Sequence, residues 1–204
     1  MRLYSYVVAR DYGFAPNPFH GFCTLATCKP VIRKTASVGD WVVGTGSKTR
    51  QRDGRLVYVM RVEEILTYDA YWKDPRFAAK KPNLKGSKKQ AFGDNIYHRE
   101  TATGPWIQEN SHHSLADGSP NQRNILNDTQ TPNVLVGVEF AYWGGDGPTI
   151  PSKFRDFQGY DICRNGRGHK NNFPDALVSA FISWFRSLQE EGATGTPLDW
   201  PRTQ

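Results

Sequence analysis

Four side chains in this 204-residue chain combine a reactive type with a turn-rich setting: Asp11, Cys28, Asp161 and His169. A thiolate is a nucleophile, an imidazole moves protons near neutral pH, and a carboxylate accepts or orients them. They are therefore the catalytic candidates, with no role assigned to any of them. Asp11 belongs to Arg10-Asp-Tyr-Gly-Phe-Ala-Pro-Asn-Pro-Phe-His20, where two prolines stiffen a segment holding Arg and Asp beside aromatic rings. Such a set clamps a base by stacking while polar groups read its edge. Arg10, Asp11, Tyr12 and Asn17 are accordingly candidate base contacts. An Arg–Asp pair that merely ties a loop accounts for the same residues equally well.

Asp161-Ile-Cys-Arg-Asn-Gly-Arg-Gly-His-Lys170 sets arginines among glycines, a pattern suited to phosphate. It makes Arg164, Arg167 and Lys170 candidate phosphate contacts, against a solvated loop. Residues 73–89 carry seven basic side chains and one acid, Lys80 and Lys81 among them. A solvated lysine-rich loop is the plain account of such a run. The formal net charge of +6, with six tryptophans and nine tyrosines, turns it toward nucleic acid.

Other constellations fall short. Gly44-Thr-Gly-Ser-Lys-Thr49 lacks the Gly-Lys-Ser/Thr order of a nucleotide-binding P-loop. It reads as a hairpin tip at which backbone N–H groups and Lys48 meet an anion. Cys23, Cys28, Cys163 and His169 lack the paired-cysteine spacing of a zinc knuckle. His98-Arg-Glu100 lacks the second half of a deaminase signature. His112 and His113 with Asp117 and Asp128 offer ligands to a divalent metal, but adjacent histidines on a polar loop are ordinarily solvated. No metal and no cofactor is expected.

Alternation and turn residues place strands at Leu3–Ala9, Phe22–Thr27, Asp40–Val43, Leu56–Leu66 and Val134–Trp143, with Lys48–Gly54 as a hairpin loop. Residues 109–132, rich in Asn, Ser and Asp, read as a long surface loop. Leu177, Phe181, Trp184, Phe185 and Leu188 share one face of a helix over Pro174–Glu191, which Gly192 ends. Three cysteines, an odd number, argue for a reducing compartment, and no run is long enough for a membrane span. The expectation is a cytoplasmic protein.

Tyr-Val-Val-Ala-Arg-Asp-Tyr-Gly-Phe-Ala-Pro-Asn-Pro-Phe, Cys-Thr-Leu-Ala-Thr-Cys-Lys-Pro, Gly-Asp-Asn-Ile-Tyr-His-Arg, Ala-Tyr-Trp-Gly-Gly and Gly-Arg-Gly-His-Lys resemble the bacterial family called nucleotide modification associated domain 2. That resemblance implies base-modification or phage-defence neighbourhoods and supplies no reaction. Val38-Gly-Asp40 with the strand after it, and Val62-Glu-Glu-Ile65, resemble PUA-like barrels of the EVE, YTH and ASCH type. This second resemblance implies a pocket for a modified base lined by Arg10, Asp11, Thr45, Gly46, Ser47 and Trp72.

The expected fold is α+β: a PUA-like, mostly antiparallel barrel over residues 1–192, an irregular excursion at about 90–132, a C-terminal packing helix and a tail over 193–204. The leading expected function is binding of nucleic acid or a modified nucleotide. An enzyme acting on a nucleotide or nucleobase is the alternative. A defence-system subunit that binds a protein partner is the third reading.

Overall fold

The computed structural model describes residues 1–200. In chain order these form β1 (Leu3–Val8), β2 (Cys23–Leu25), α1 (Pro30–Thr35), β3 (Trp41–Gly46), β4 (Leu56–Arg61), β5 (Glu64–Thr67), α2 (Tyr68–Lys73), α3 (Lys88–Ala91), β6 (Tyr97–His98), β7 (Ile107–Gln108), α4 (Gln122–Asp128), β8 (Asn133–Gly137), β9 (Phe140–Gly144), α5 (Asp175–Ser187) and β10 (Gly192–Thr196). Two compact units result. One comprises residues 1–12, 36–63 and 137 onward; the other comprises 13–35 and 64–136.

The first unit is a five-stranded sheet ordered β1-β3-β4-β9-β10. β1 runs parallel to β3 and β10 parallel to β9, whereas β3–β4 and β4–β9 are antiparallel. A parallel pair needs a long crossover, and residues 145–191, carrying α5, supply one of the two. Leu177, Phe181 and Phe185 of α5 pack with Trp41, Val43, Val59, Trp143 and Phe154 into one core. Alternate residues of the same strands face the other way; there the Tyr58 hydroxyl donates to that of Tyr6 at 3.0 Å. Gly44 lies on that side, where a Cβ would come within 2.4 Å of the Tyr58 ring.

The second unit holds a three-stranded sheet, β2-β8-β5, a two-stranded β6–β7 ribbon, and α1 to α4. Most of its backbone is turn and loop held by side-chain hydrogen bonds.

The α+β class and the C-terminal packing helix are as expected from the sequence. The barrel is not: among the described residues no sheet closes, and the large one is open and mixed. Two runs that read as single strands each break and change sheets. Residues 56–66 divide into β4 and β5 at Val62-Glu63, and 134–143 divide into β8 and β9 at Val138-Glu139. The Glu63 carboxylate accepts from the Val138 and Glu139 N–H groups there, the latter at 2.8 Å. β10 occupies the start of the expected tail, and Trp200 donates to the Tyr12 carbonyl at 2.8 Å; residues 201–204 of that tail lie outside the described residues.

Candidate active site

Cys28 lies in the turn between β2 and α1. It and Lys29 both adopt positive φ, 58° and 41°. Two successive non-glycine residues in the left-handed region cost about 1–3 kcal/mol each, so neighbouring groups must hold this turn. The Cys28 N–H donates to Asp128 Oδ1 at 2.8 Å, and Arg33 Nε donates to the Cys28 carbonyl at 2.8 Å. Arg33 is fully buried. Its other nitrogens donate to the carbonyls of Asp128 (2.5 Å), Asn133 (2.7 Å) and Thr131 (3.3 Å), and its guanidinium lies 5.4 Å from the Tyr68 ring.

Asp128 ends α4, a helix started by Asn121, whose side chain accepts from the Arg123 and Asn124 N–H groups. The Asp128 carboxylate is wholly buried and accepts on both oxygens. Oδ1 takes the Cys28 N–H and the Asn127 amide; Oδ2 takes His113 Nδ1 at 2.8 Å and the Tyr97 hydroxyl at 3.0 Å. Tyr97 is itself fixed by Gln108 Nε2 at 2.9 Å, and Gln108 Oε1 accepts from the Asn121 N–H. Burial pushes the Tyr97 hydroxyl far above its ordinary pKa, so it remains a donor.

His113 sits on the turn 111–114, with its ring 4.6 Å from that of Phe14. Its Nδ1 faces Asp128 and its Nε2 stands 3.7 Å from Cys28 Sγ. Burial alone would lower the imidazole pKa. The hydrogen bonds to Asp128 and Cys28 outweigh it and push the value up to about 9. Burial likewise acts to raise the Asp128 pKa, yet the His113 hydrogen bond holds the carboxyl below its ordinary range. The resulting order is sulfur, imidazole, carboxylate, with the imidazole next to the thiol and oriented by a third group. This is the triad arrangement of covalent catalysts.

Of the four catalytic candidates, Cys28 alone enters this constellation. Asp11 is buried, accepts from the Tyr142 hydroxyl at 2.7 Å and helps dock the C-terminal segment through Leu198. Asp161 pairs with Arg155 at 2.8 Å and accepts from the Cys163 N–H. His169 packs on the Tyr4 ring at 5.8 Å. Cys23 and Cys163 are buried, which raises both thiol pKa values, Cys163 to about 12.

The expected base contacts divide between the units. Arg10, Asp11, Tyr12, Thr45, Gly46 and Ser47 belong to the first, Asn17 and Trp72 to the second. Thr45 is buried and donates to the Tyr6 carbonyl, and a Cβ on Gly46 would meet the Arg52 carbonyl at 2.1 Å. Trp72 stacks on His98 at 4.1 Å, and Lys81 lies 3.7 Å from its ring centroid. Among the expected phosphate contacts, Lys80 is fully buried. It donates to both oxygens of Asn17 and to the Phe22 carbonyl and Thr24 hydroxyl, so it presents no charge at the surface. Burial lowers its pKa to about 8. Arg164 donates to the Arg167 carbonyl, Lys170 to the Asp161 carbonyl, and Lys48 starts a 3-10 turn.

Sequence reasoning passed over His113 and Asp128 as catalytic partners, weighing them only as metal ligands, and did not single out Tyr97 or Arg33. A cysteine between a strand and Lys-Pro, with a His-His pair and a buried-type Asp inside one polar segment, was the available signal.

The chain matches the family described as nucleotide modification associated domain 2 over residues 1–204, and it belongs to that family. Comparison with curated proteins and with solved structures found no match.

Proposed function

We propose that this protein is a covalent catalyst in which Cys28 is the nucleophile, His113 the proton carrier and Asp128 the residue that orients it. The single observation behind this reading is the Cys28–His113–Asp128 geometry, with 3.7 Å from sulfur to Nε2 and 2.8 Å from Nδ1 to the carboxylate. The reaction class it suits is acyl transfer. The Cys28 thiolate adds to a carbonyl carbon, and the π pair moves to oxygen. The tetrahedral adduct collapses to a thioester as the leaving group departs with the Nε2 proton of the imidazolium. Neutral His113 then takes a proton from water or an acceptor alcohol or amine, whose attack on the thioester releases the product with the Cys28 sulfur as leaving group and leaves the proton on His113.

Family membership sets this chemistry in the context of nucleotide modification. Among the readings of the sequence, the Cys28–His113–Asp128 geometry favours the enzyme over a pure nucleic-acid-binding module.

Iodoacetamide labelling of the folded protein at pH 7, read by peptide mass spectrometry, tests the assignment. Cys28 should be modified at least tenfold faster than Cys23 and Cys163, and His113→Gln should slow it several-fold. Equal labelling of the three thiols, or a Cys28 rate indifferent to His113, refutes it.

A further inference from the structure

The Tyr97 hydroxyl ends on the same oxygen as His113. Asp128 Oδ2 accepts from His113 Nδ1 at 2.8 Å and from Tyr97 at 3.0 Å. The phenol is set there by groups other than the triad. Tyr97 and Gln108 are cross-strand partners in the β6–β7 ribbon. Gln108 Nε2 donates to the Tyr97 oxygen at 2.9 Å, and Gln108 Oε1 accepts from the Asn121 N–H at 2.8 Å. Asn121 starts α4 and Asp128 ends it, so the ribbon is tied to both ends of that helix. Between the two, Asn124 Nδ2 donates to the His113 carbonyl at 2.8 Å. The Tyr97 ring itself is buried, edge-on to Tyr68 with centroids 5.1 Å apart.

We infer that Tyr97 is a positioning residue of the Cys28 site: by sharing Oδ2 with His113, its hydroxyl weakens the carboxylate's hold on the imidazole and lets the ring release its proton. The inference rests on the reading of Cys28 as the nucleophile and adds a residue that tunes its proton carrier. Two donors on one oxygen compete for the same electron density. The bond from Tyr97 is strongest when His113 is neutral, because an imidazolium already draws on the anion through a charge-assisted bond. Tyr97 therefore favours the neutral ring, whereas the charge of Asp128 favours the protonated one. Gln108 strengthens the effect, since a donor on the phenol oxygen polarises its O–H. Acyl transfer needs both states: the imidazolium protonates the leaving group, and the neutral ring takes a proton from the attacking water. The other groups beside His113 are Cys28 and, on its own turn, His112. Arg33 adds a fixed positive charge near Asp128, and the Tyr68 hydroxyl donates to the Asp128 carbonyl at 3.2 Å. None of these is altered when only the Tyr97 hydroxyl is removed.

Tyr97→Phe in the full chain keeps the ring and removes the hydroxyl. Mere loosening of the site would weaken the His113–Asp128 bond and lower the imidazole midpoint, whereas loss of a competing donor raises it, so the sign decides. Nitrogen-15 NMR should place the His113 midpoint of this variant about half a pH unit or more above that of the wild type. Gln108→Leu leaves the hydroxyl but removes its donor, and should move the midpoint the same way by less. The second readout is turnover of a thioester on Cys28. p-Nitrophenyl acetate passes its acetyl group to the thiolate and releases p-nitrophenolate. Water then adds to the thioester carbonyl as neutral His113 takes its proton, and the C–S bond breaks to release acetate and the thiolate. Peptide mass spectrometry follows the gain and loss of acetyl on Cys28 across the same pH range, with the His113→Gln rate subtracted. The loss should speed up with pH in both proteins, and its midpoint should lie higher in Tyr97→Phe. An unchanged or lower His113 midpoint in either variant overturns the role of Tyr97. A wild-type Cys28 that gains no acetyl group refutes the nucleophile reading instead, and the NMR midpoints are read independently of it.

Discussion

Replacing Asp128 by Asn keeps the shape of the carboxylate and removes its charge, which isolates what the carboxylate does for His113. The imidazole pKa stands at about 9 against an ordinary value of 6.5, and burial works against that rise. At ~1.4 kcal/mol per pH unit the gap favours the imidazolium in the folded state by about 3 kcal/mol. The folded pKa is raised, so this stabilisation is complete below pH 6.5 and is lost as pH climbs through 9. In the Asp128→Asn protein the carboxylate charge is gone while desolvation and the Cys28 contact remain, so the ring should titrate well below 9. Its neutral form should also change tautomer. The amide can donate to Nδ1, which places the proton on Nε2 and leaves no lone pair facing Sγ. Nitrogen-15 NMR of the imidazoles, with His113 assigned from a His113→Gln spectrum, reads both midpoint and tautomer. The wild type should titrate near 9 with Nδ1 protonated in its neutral form, and Cys28 labelling in the variant should slow at least tenfold. A wild-type midpoint near 6.5, or an unchanged midpoint in Asp128→Asn, would refute the reasoning.

Arg33→Lys retains the charge but cannot span four carbonyls with a planar fork. Urea unfolding should show a loss of about 1–3 kcal/mol, and Cys28 labelling should slow with it; unchanged stability and rate would mean that the guanidinium does not hold the nucleophile turn. Lys80 gives the opposite pH signature to His113. Its pKa falls from 10.5 to about 8 on burial, so between those values the unfolded chain binds more protons and stability rises with pH. Lys80→Met should erase that rise, and urea unfolding midpoints at pH 8 and pH 10 would show it.

Elements built on side-chain periodicity were legible. α5 announced itself by Leu177, Phe181, Trp184, Phe185 and Leu188, and all five pack on the core, together with Val178 and Ile182. Elements built on backbone pairing were not. β10 is Gly-Ala-Thr-Gly-Thr, with low strand propensity, and it is held by its register to β9; a Cβ on Gly195 would come within 1.9 Å of the Trp143 carbonyl. The two places where a strand changes sheets were equally hidden, because Val-Glu-Glu and Val-Glu continue an alternating pattern through the break. An open mixed sheet and a closed antiparallel barrel thus share much of one local sequence signal.

The site shows the same division more sharply. Cys28 was visible because it stands between a strand and Lys-Pro, yet nothing local marks it apart from a buried structural thiol such as Cys23. What separates them is Asp128, one hundred residues away, which hydrogen-bonds both the Cys28 backbone and His113. A buried carboxylate with four hydrogen bonds from Cys28, Asn127, Tyr97 and His113 fixes the distance between nucleophile and base through its own two oxygens. Such a group has no sequence spacing to recognise, since Cys28, Tyr97 and His113 arrive from separate segments of the chain. His113 was discounted because a His-His pair on a polar segment is ordinarily solvated, and half of that reasoning holds: His112 is exposed, while His113 turns inward against Phe14. The polarity of residues 109–132, which read as surface, instead supplies the donors and acceptors that a buried charged site requires. Polar composition in a loop therefore discriminates between solvent and active site only once the partners of its carboxylates are known.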